Sequence, residues 1–188
     1  PIAGKLSTTV DPSRTIIVGL GIFGASCLLL ADTGMLTGFW LMALLVAFGR
    51  IGLGLVVPSI NLSGMNAVPS DLVPYAAGTL NFVRMTGASI GVSVLAIIID
   101  SRTVNYGAGL LRTQTFDNPS TSKFLTYLAD KLTSAGFTDV EGVASSVSYL
   151  KGLLILKAQE LAFQEGHTAL CVLFIFGMMA TFLLFRRT

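Results

Sequence analysis

Charge is scarce in this sequence. Lysine and arginine together number 12 and aspartate and glutamate 10, so only 12% of the 188 residues are charged. Soluble domains carry roughly 25%. With 53% hydrophobic residues and a mean hydropathy of +0.77, so little charge excludes an ordinary soluble domain and points to a membrane protein. The net charge is only +2 and no lysine or arginine run follows a phosphate backbone, which excludes a nucleic-acid partner. There are two cysteines, Cys27 and Cys171, both inside apolar runs and in no CxxC spacing. They read as small apolar side chains rather than a redox or metal pair. There is one histidine, so no Ser–His–Asp set and no His/Cys/Asp cluster of metal spacing can be assembled. No Walker A sequence occurs. These absences exclude an enzyme and call for no cofactor and no metal. No secretory signal stands at the start, and the first residue is Pro1 rather than Met; the sequence reads as a piece of a longer protein.

What is present is long apolar runs, divided by one polar stretch. Residues 100–166 hold 13 of the 22 charges, from Asp100 to Glu165. The remaining nine are Lys5, Asp11, Arg14, Asp32, Arg50, Asp71, Arg84, Arg186 and Arg187. Residues 1–14 form a turn-rich polar lead. Residues 15–31 are an uncharged run of 17, nearly enough at about 1.5 Å per residue to cross a hydrocarbon core of about 30 Å. From Thr33 to Ser70 there are 38 residues with one charge, Arg50, and no turn signal midway. One long helix over 38–66 is expected, bent at Pro58, which removes a backbone hydrogen bond. A loop at 66–71 leads to a third span over 72–99, in which Arg84 is the only charge among 28 residues. The last span, 169–185, is an uncharged run of 17 closed by Arg186 and Arg187.

Residues 101–166 are too polar to cross a bilayer. TQTFDNPSTS (113–122) reads as an irregular loop. Phe124, Leu125, Leu128 and Leu132 recur at helical spacing, with Gly136 as a C-cap, and predict a short amphipathic helix over 124–132. Thr138 followed by Glu141 has the form of a capping box, opening a second outer helix. Lys5 and Arg14 before the first span, and Arg186 and Arg187 after the last, put both ends in the cytoplasm by the positive-inside rule. The segment 101–166 is then extracytoplasmic; its six positive and six negative charges neither support nor oppose this. Trp40 and Tyr75 fall at expected membrane interfaces, and His167 at the outer mouth of the last span. The expected architecture is all-α and polytopic: a cytoplasmic lead (1–14), three spans (15–100), an outer segment (101–166), and a last span with a cytoplasmic end (167–188).

Arg84 is the sharpest feature. An arginine at the centre of a spanning helix costs about 2.5–3.5 kcal/mol on insertion scales, so it faces other helices or a watery cavity. Asn81, three residues earlier, shares its face. Two roles fit: a structural arginine at a helix–helix contact, or a lining residue of a transport path. Gly87 and Gly91 form a GxxxG on the same helix and predict close approach of another helix. Arg50 raises the same choice within GRIGLG (49–54), where Gly52 and Gly54 precede Pro58, Ser59 and Asn61 and suit a helix that packs closely or bends.

The stretch GRIGLGLVVPSINLSGMNAVPSDLVPYAAGTLNFVRMTGASIGVSVL (49–95) resembles the C-terminal part of the 14-helix drug:proton antiporters of the major facilitator superfamily. The resemblance rests on Gly52-Leu53-Gly54 before Pro58, Ser63-Gly64, Val68-Pro69 and Ala77-Gly78. It rests most of all on Asn81, Arg84, Gly87 and Gly91 at their spacing. PIAGKL with Asp11, and AQELAF (158–163) ahead of the last span, agree with it; Arg50 departs from the neutral polar residue expected there. The resemblance implies an incomplete, C-terminal part of a major facilitator fold, about helices 11–14. It implies proton-driven export of lipophilic compounds at the cell membrane by alternating access, shared with N-terminal helices that this sequence lacks. The partners it implies are a lipophilic small molecule, protons, the bilayer and those missing helices. Import of a metabolite on the same fold, and a non-transport membrane subunit whose outer segment binds a partner, are the alternatives.

Overall fold

The computed structural model describes residues 11–185, and every described element is helical. The polar lead over 1–10 and the arginine pair 186–187 lie outside the described residues. Five helices follow in order: α1 (Pro12–Ala31), α2 (Phe39–Asn66), α3 (Val73–Thr113), α4 (Pro119–Ser134) and α5 (Asp139–Phe185). Four of them, all but α4, are long and apolar enough to cross a membrane. The chain divides into two units, one holding the helices up to Ala96 and the chain from Gln164 onward, the other holding Ile97–Phe163.

In the first unit, α1 starts at Asp11, whose carboxylate accepts from the Ser13 N–H at 3.4 Å, with Pro12 in the first turn, where its missing N–H costs nothing. After α1 the chain turns through ADTG. The Thr33 hydroxyl donates to the Leu30 carbonyl at 2.7 Å, and the Gly34 N–H donates to Thr37 Oγ1 at 2.9 Å. These bonds satisfy the turn locally and bring α2 back along α1. Pro58 lies inside α2 without ending it. Just after it the Ser59 hydroxyl donates to the Leu55 carbonyl at 2.9 Å.

The α1–α2 contact is built from small residues. A Cβ placed on Gly52 would lie 2.5 Å from the Gly19 carbonyl oxygen and 2.8 Å from the Phe23 nitrogen. One placed on Gly19 would lie 2.7 Å from the Gly52 carbonyl oxygen. Backbone therefore meets backbone, as packing in lipid favours. Higher on the same seam the buried Ser26 hydroxyl donates to the Leu45 carbonyl at 2.8 Å, beside Gly49. The final part of α5 closes on α1 as well: Phe23 and Phe174 meet edge to face at 4.6 Å, and Gln164 donates to the Thr33 carbonyl at 2.7 Å.

Two boundaries differ from the sequence reading. The third helix does not stop at Ile99 but runs to Thr113, and the last is one unbroken helix from Asp139 rather than an outer helix followed by a separate span. At 41 and 47 residues they measure about 60 and 70 Å, twice a hydrocarbon core. The charges at Asp100, Arg102 and Glu165 mark a change of solvent, and a helix whose backbone bonds are internal needs no break there. The loop expected over 113–122 is shorter, since α4 already begins at Pro119.

In the second unit the corner between α4 and α5 is specified by both ends. Gly136 takes φ +103, and the Phe137 N–H reaches back to the Leu132 carbonyl at 3.2 Å, a Schellman closure that favours glycine. The capping box of α5 is formed: Glu141 accepts from the Thr138 N–H at 3.1 Å and from its hydroxyl at 2.8 Å, while Thr138 Oγ1 accepts from the Glu141 N–H at 3.4 Å. The bonds from the Thr138 hydroxyl and then its N–H hold the Glu141 carboxyl below its usual pKa. A carboxylate whose folded pKa is depressed stabilises above its unfolded value and loses that contribution as pH falls through the folded one. The Thr138 and Glu141 amide shifts are therefore expected to be constant above the ordinary glutamate range. Below it they move toward frayed-helix values, and Glu141→Gln removes the transition. An unchanged titration in E141Q would sink this assignment.

Candidate functional site

Arg84 lies near the middle of the part of α3 that follows the turn at 67–72, and α3 has no buried residue. Its Nη2 donates to Asn81 Oδ1 at 2.6 Å, as their i,i+3 spacing allows. Among the described residues no carboxylate stands against it. A groove of about 260 Å³ opens beside this pair, where α2 meets α3. Its walls are Val57, Ile60 and Asn61 from α2, and Leu80, Val83 and Arg84 from α3. The close approach that forms it comes at Gly64, where a Cβ would lie 2.5 Å from Leu80 Cδ1. The groove is apolar except for Asn61 and Arg84. Ser63, next to Gly64, has its hydroxyl buried without a hydrogen-bond partner among the described residues.

Arg50 lies elsewhere, in a pocket of about 220 Å³ formed by α1, α2 and the last part of α5. Phe23, Ser26 and Cys27 line it from α1, Gly49 and Leu53 beside Arg50 from α2, and His167 from α5. The sequence candidates thus separate. Asn61, Asn81 and Arg84 come together, Arg50 joins a different cavity, and Gly52 belongs to the α1–α2 seam. Pro58 is within α2, one residue past groove-lining Val57. Gly54, Gly87 and Gly91 face open space, with nothing within 4 Å of a Cβ built on any of them. The helix contact expected at the GxxxG is therefore not made among the described residues; α3 presents that stripe uncovered. Cys27 and Cys171 are both buried and unpaired by any disulfide, and no three His, Cys, Asp or Glu side chains among the described residues could hold a metal ion.

Sequence reasoning missed Gly19 and Ser26, which with Gly49 and Gly52 carry the α1–α2 contact. The signal was available: span one holds Gly19, Gly21, Gly24, Ala25 and Ser26 within eight residues, a density of small side chains that marks a packing face. It also missed Leu80, which closes the groove and is indistinguishable in sequence from a lipid-facing leucine.

Two curated relatives match part of this chain in sequence. A tetracycline resistance determinant of Streptomyces rimosus is 28% identical over 126 residues, covering 66% of this chain and 36% of that protein. The uncharacterized MFS-type transporter YcnB of Bacillus subtilis (strain 168) is 23% identical over 107 residues, covering 57% of this chain and 23% of that protein. The chain is similar in sequence to transporters of the major facilitator type. Its four long apolar helices are those of a multi-pass membrane protein and are consistent with part of a major facilitator fold. It spans about a third of the length of the first relative and about a quarter of the second. No family model matches the chain, and no solved structure matches it.

Proposed function

We propose that this chain is the C-terminal portion, about helices 11–14, of a proton-coupled multidrug efflux transporter that works by alternating access. The observation that carries this is the groove between α2 and α3. It combines apolar walls with two polar side chains, Asn61 and Arg84, between two apolar helices, and facilitators bind their substrates between helix bundles. The tetracycline resistance determinant supports export rather than import as the direction. In this reading both ends of the chain are cytoplasmic and the segment 101–166 is extracytoplasmic at the cell membrane. Lipophilic small molecules enter a cavity completed by the remaining helices of the same transporter. Protons are carried by carboxylates on those helices, since the spans seen here hold none. Asn81 and Arg84 line the path, and the α1–α2 seam at Gly52 keeps one bundle rigid while it rocks.

The test is accumulation of tetracycline and ethidium in an efflux-deficient host. One strain makes the 188-residue chain; another makes it joined to whatever precedes it in its gene, at membrane levels matched by immunoblot. The longer protein is expected to lower accumulation severalfold and the short chain not at all. Equal accumulation in both strains and in an empty-vector control would remove export of these compounds from consideration.

A further inference from the structure

We propose that the α2–α3 groove is a carboxylate-binding site, with Arg84 as its cation and Asn61 and Asn81 as its polar flanks, and that its ligand is a lipophilic monocarboxylate group.

Charge gives the first reason. Within residues 15–31, 39–66, 73–99 and 169–185 the only charged side chains are Arg50 and Arg84, and no aspartate or glutamate occurs. Acidic residues of the same unit stand outside these runs: Asp11 at the start of α1, Asp32 at its close, Asp71 in the turn before α3, and Glu165 in α5 ahead of residue 169. A guanidinium inside a membrane pairs with an acid or with carbonyls. Arg84 has neither among the described residues, only the neutral Asn81 Oδ1.

Geometry gives the second. The Asn81 bond takes one N–H of Nη2 and fixes the plane of the guanidinium, leaving other donors of the fork free. A planar fork matches the two oxygens of a carboxylate. One cation suits a monoanion; a phosphate dianion would keep an unmatched charge in a groove whose remaining walls are Val57, Ile60, Leu80 and Val83. The volume of about 260 Å³ is below the usual span of about 300–1,000 Å³ for a complete ligand pocket. It takes one end of a ligand, or one side chain, with an apolar stem along the valine and leucine walls.

The carboxylate has two sources: a transported molecule, or an acidic side chain from another helix of the complete transporter. What the site serves rests on the transporter reading; whether it binds a carboxylate does not, and the test uses no transport. The full transporter is purified in detergent, and binding of naphthalene-2-carboxylate is compared with that of naphthalene-2-carboxamide, which has the same shape and no charge. If transported molecules supply the group, the carboxylate binds at least tenfold more tightly than the amide. Arg84→Gln then abolishes the preference and Arg84→Lys restores it in part. If the protein supplies it, neither probe is preferred, and R84Q lowers the melting temperature. Neutralising one acidic residue in the remaining spans then raises it again, because an unpaired buried carboxylate has been removed. A site with no preference in the wild type, and an R84Q melting temperature that no such neutralisation raises, overturns the proposal.

Discussion

Valine at position 52 is expected to destabilise the protein more than any other small substitution in the spans. A Cβ there meets two backbone atoms, the Gly19 carbonyl oxygen at 2.5 Å and the Phe23 nitrogen at 2.8 Å, so no side-chain rotation relieves it. Overpacking costs about 1–3 kcal/mol where side chains can yield; with backbone on both sides Gly52→Val falls at the upper end or beyond. The seam must separate, and the Ser26–Leu45 hydrogen bond of 2.8 Å is strained with it. The control is Gly54→Ala. Nothing lies within 4 Å of the added methyl, and replacing a helical glycine by alanine gains about 0.5–1 kcal/mol. The measurement is the melting temperature of the full transporter in detergent: lowered in G52V, equal or raised in G54A. Equal melting of G52V and the wild type would show that α1 and α2 do not meet at this glycine.

On the proposed efflux reading, removing the charge at position 84 is expected to cost most of the export with little cost in fold. Among the described residues Arg84 is exposed along a helix with no buried residue, so no packed neighbour among them collapses when it is shortened. In Arg84→Leu the groove keeps its walls and loses its cation, and export of tetracycline is expected to fall at least tenfold at unchanged membrane level. Arg84→Lys keeps the charge but not the fork, and is expected to recover only part of the rate. Should R84L export like the wild type, the arginine is a packing residue and the first of the two roles read from the sequence is the right one. The comparison with Gly52 is informative because the two lesions act oppositely: one lowers the amount of folded protein, the other the turnover of what is folded.

Much of the fold was legible because lipid imposes simple rules. Uncharged runs of 17 residues, and one of 28 with a single charge, need no partner to be read as spans, and a fold of spanning helices follows from them. The capping box at Thr138 and Glu141 and the glycine closure at Gly136 were also legible, since each is a local exchange of hydrogen bonds among a few residues. The lengths of α3 and α5 were not. Hydropathy reports where the solvent changes, and at Asp100 the solvent changes while the helix does not. The site was legible in its polar members, Asn61, Asn81 and Arg84, because each is conspicuous against an apolar run. Its walls were not, because Val57, Leu80 and Val83 differ from lipid-facing residues only in what stands opposite them. The stripe at Gly87 and Gly91 shows the converse: a spacing suited to close packing says nothing about which chain segment arrives there.

The contrast between α1–α2 and α3 bears on how the chain is made. The first two helices carry their own partners, through glycine contacts, a buried serine bond and a self-closing turn. They can leave the translocon as a finished hairpin during synthesis. The third helix has no buried residue to hold it and bears a cation that lipid disfavours. On the proposed reading, its residence at the insertion machinery is expected to last until other helices of the transporter close on it, and the residue least suited to wait alone sets the order in which the bundle assembles.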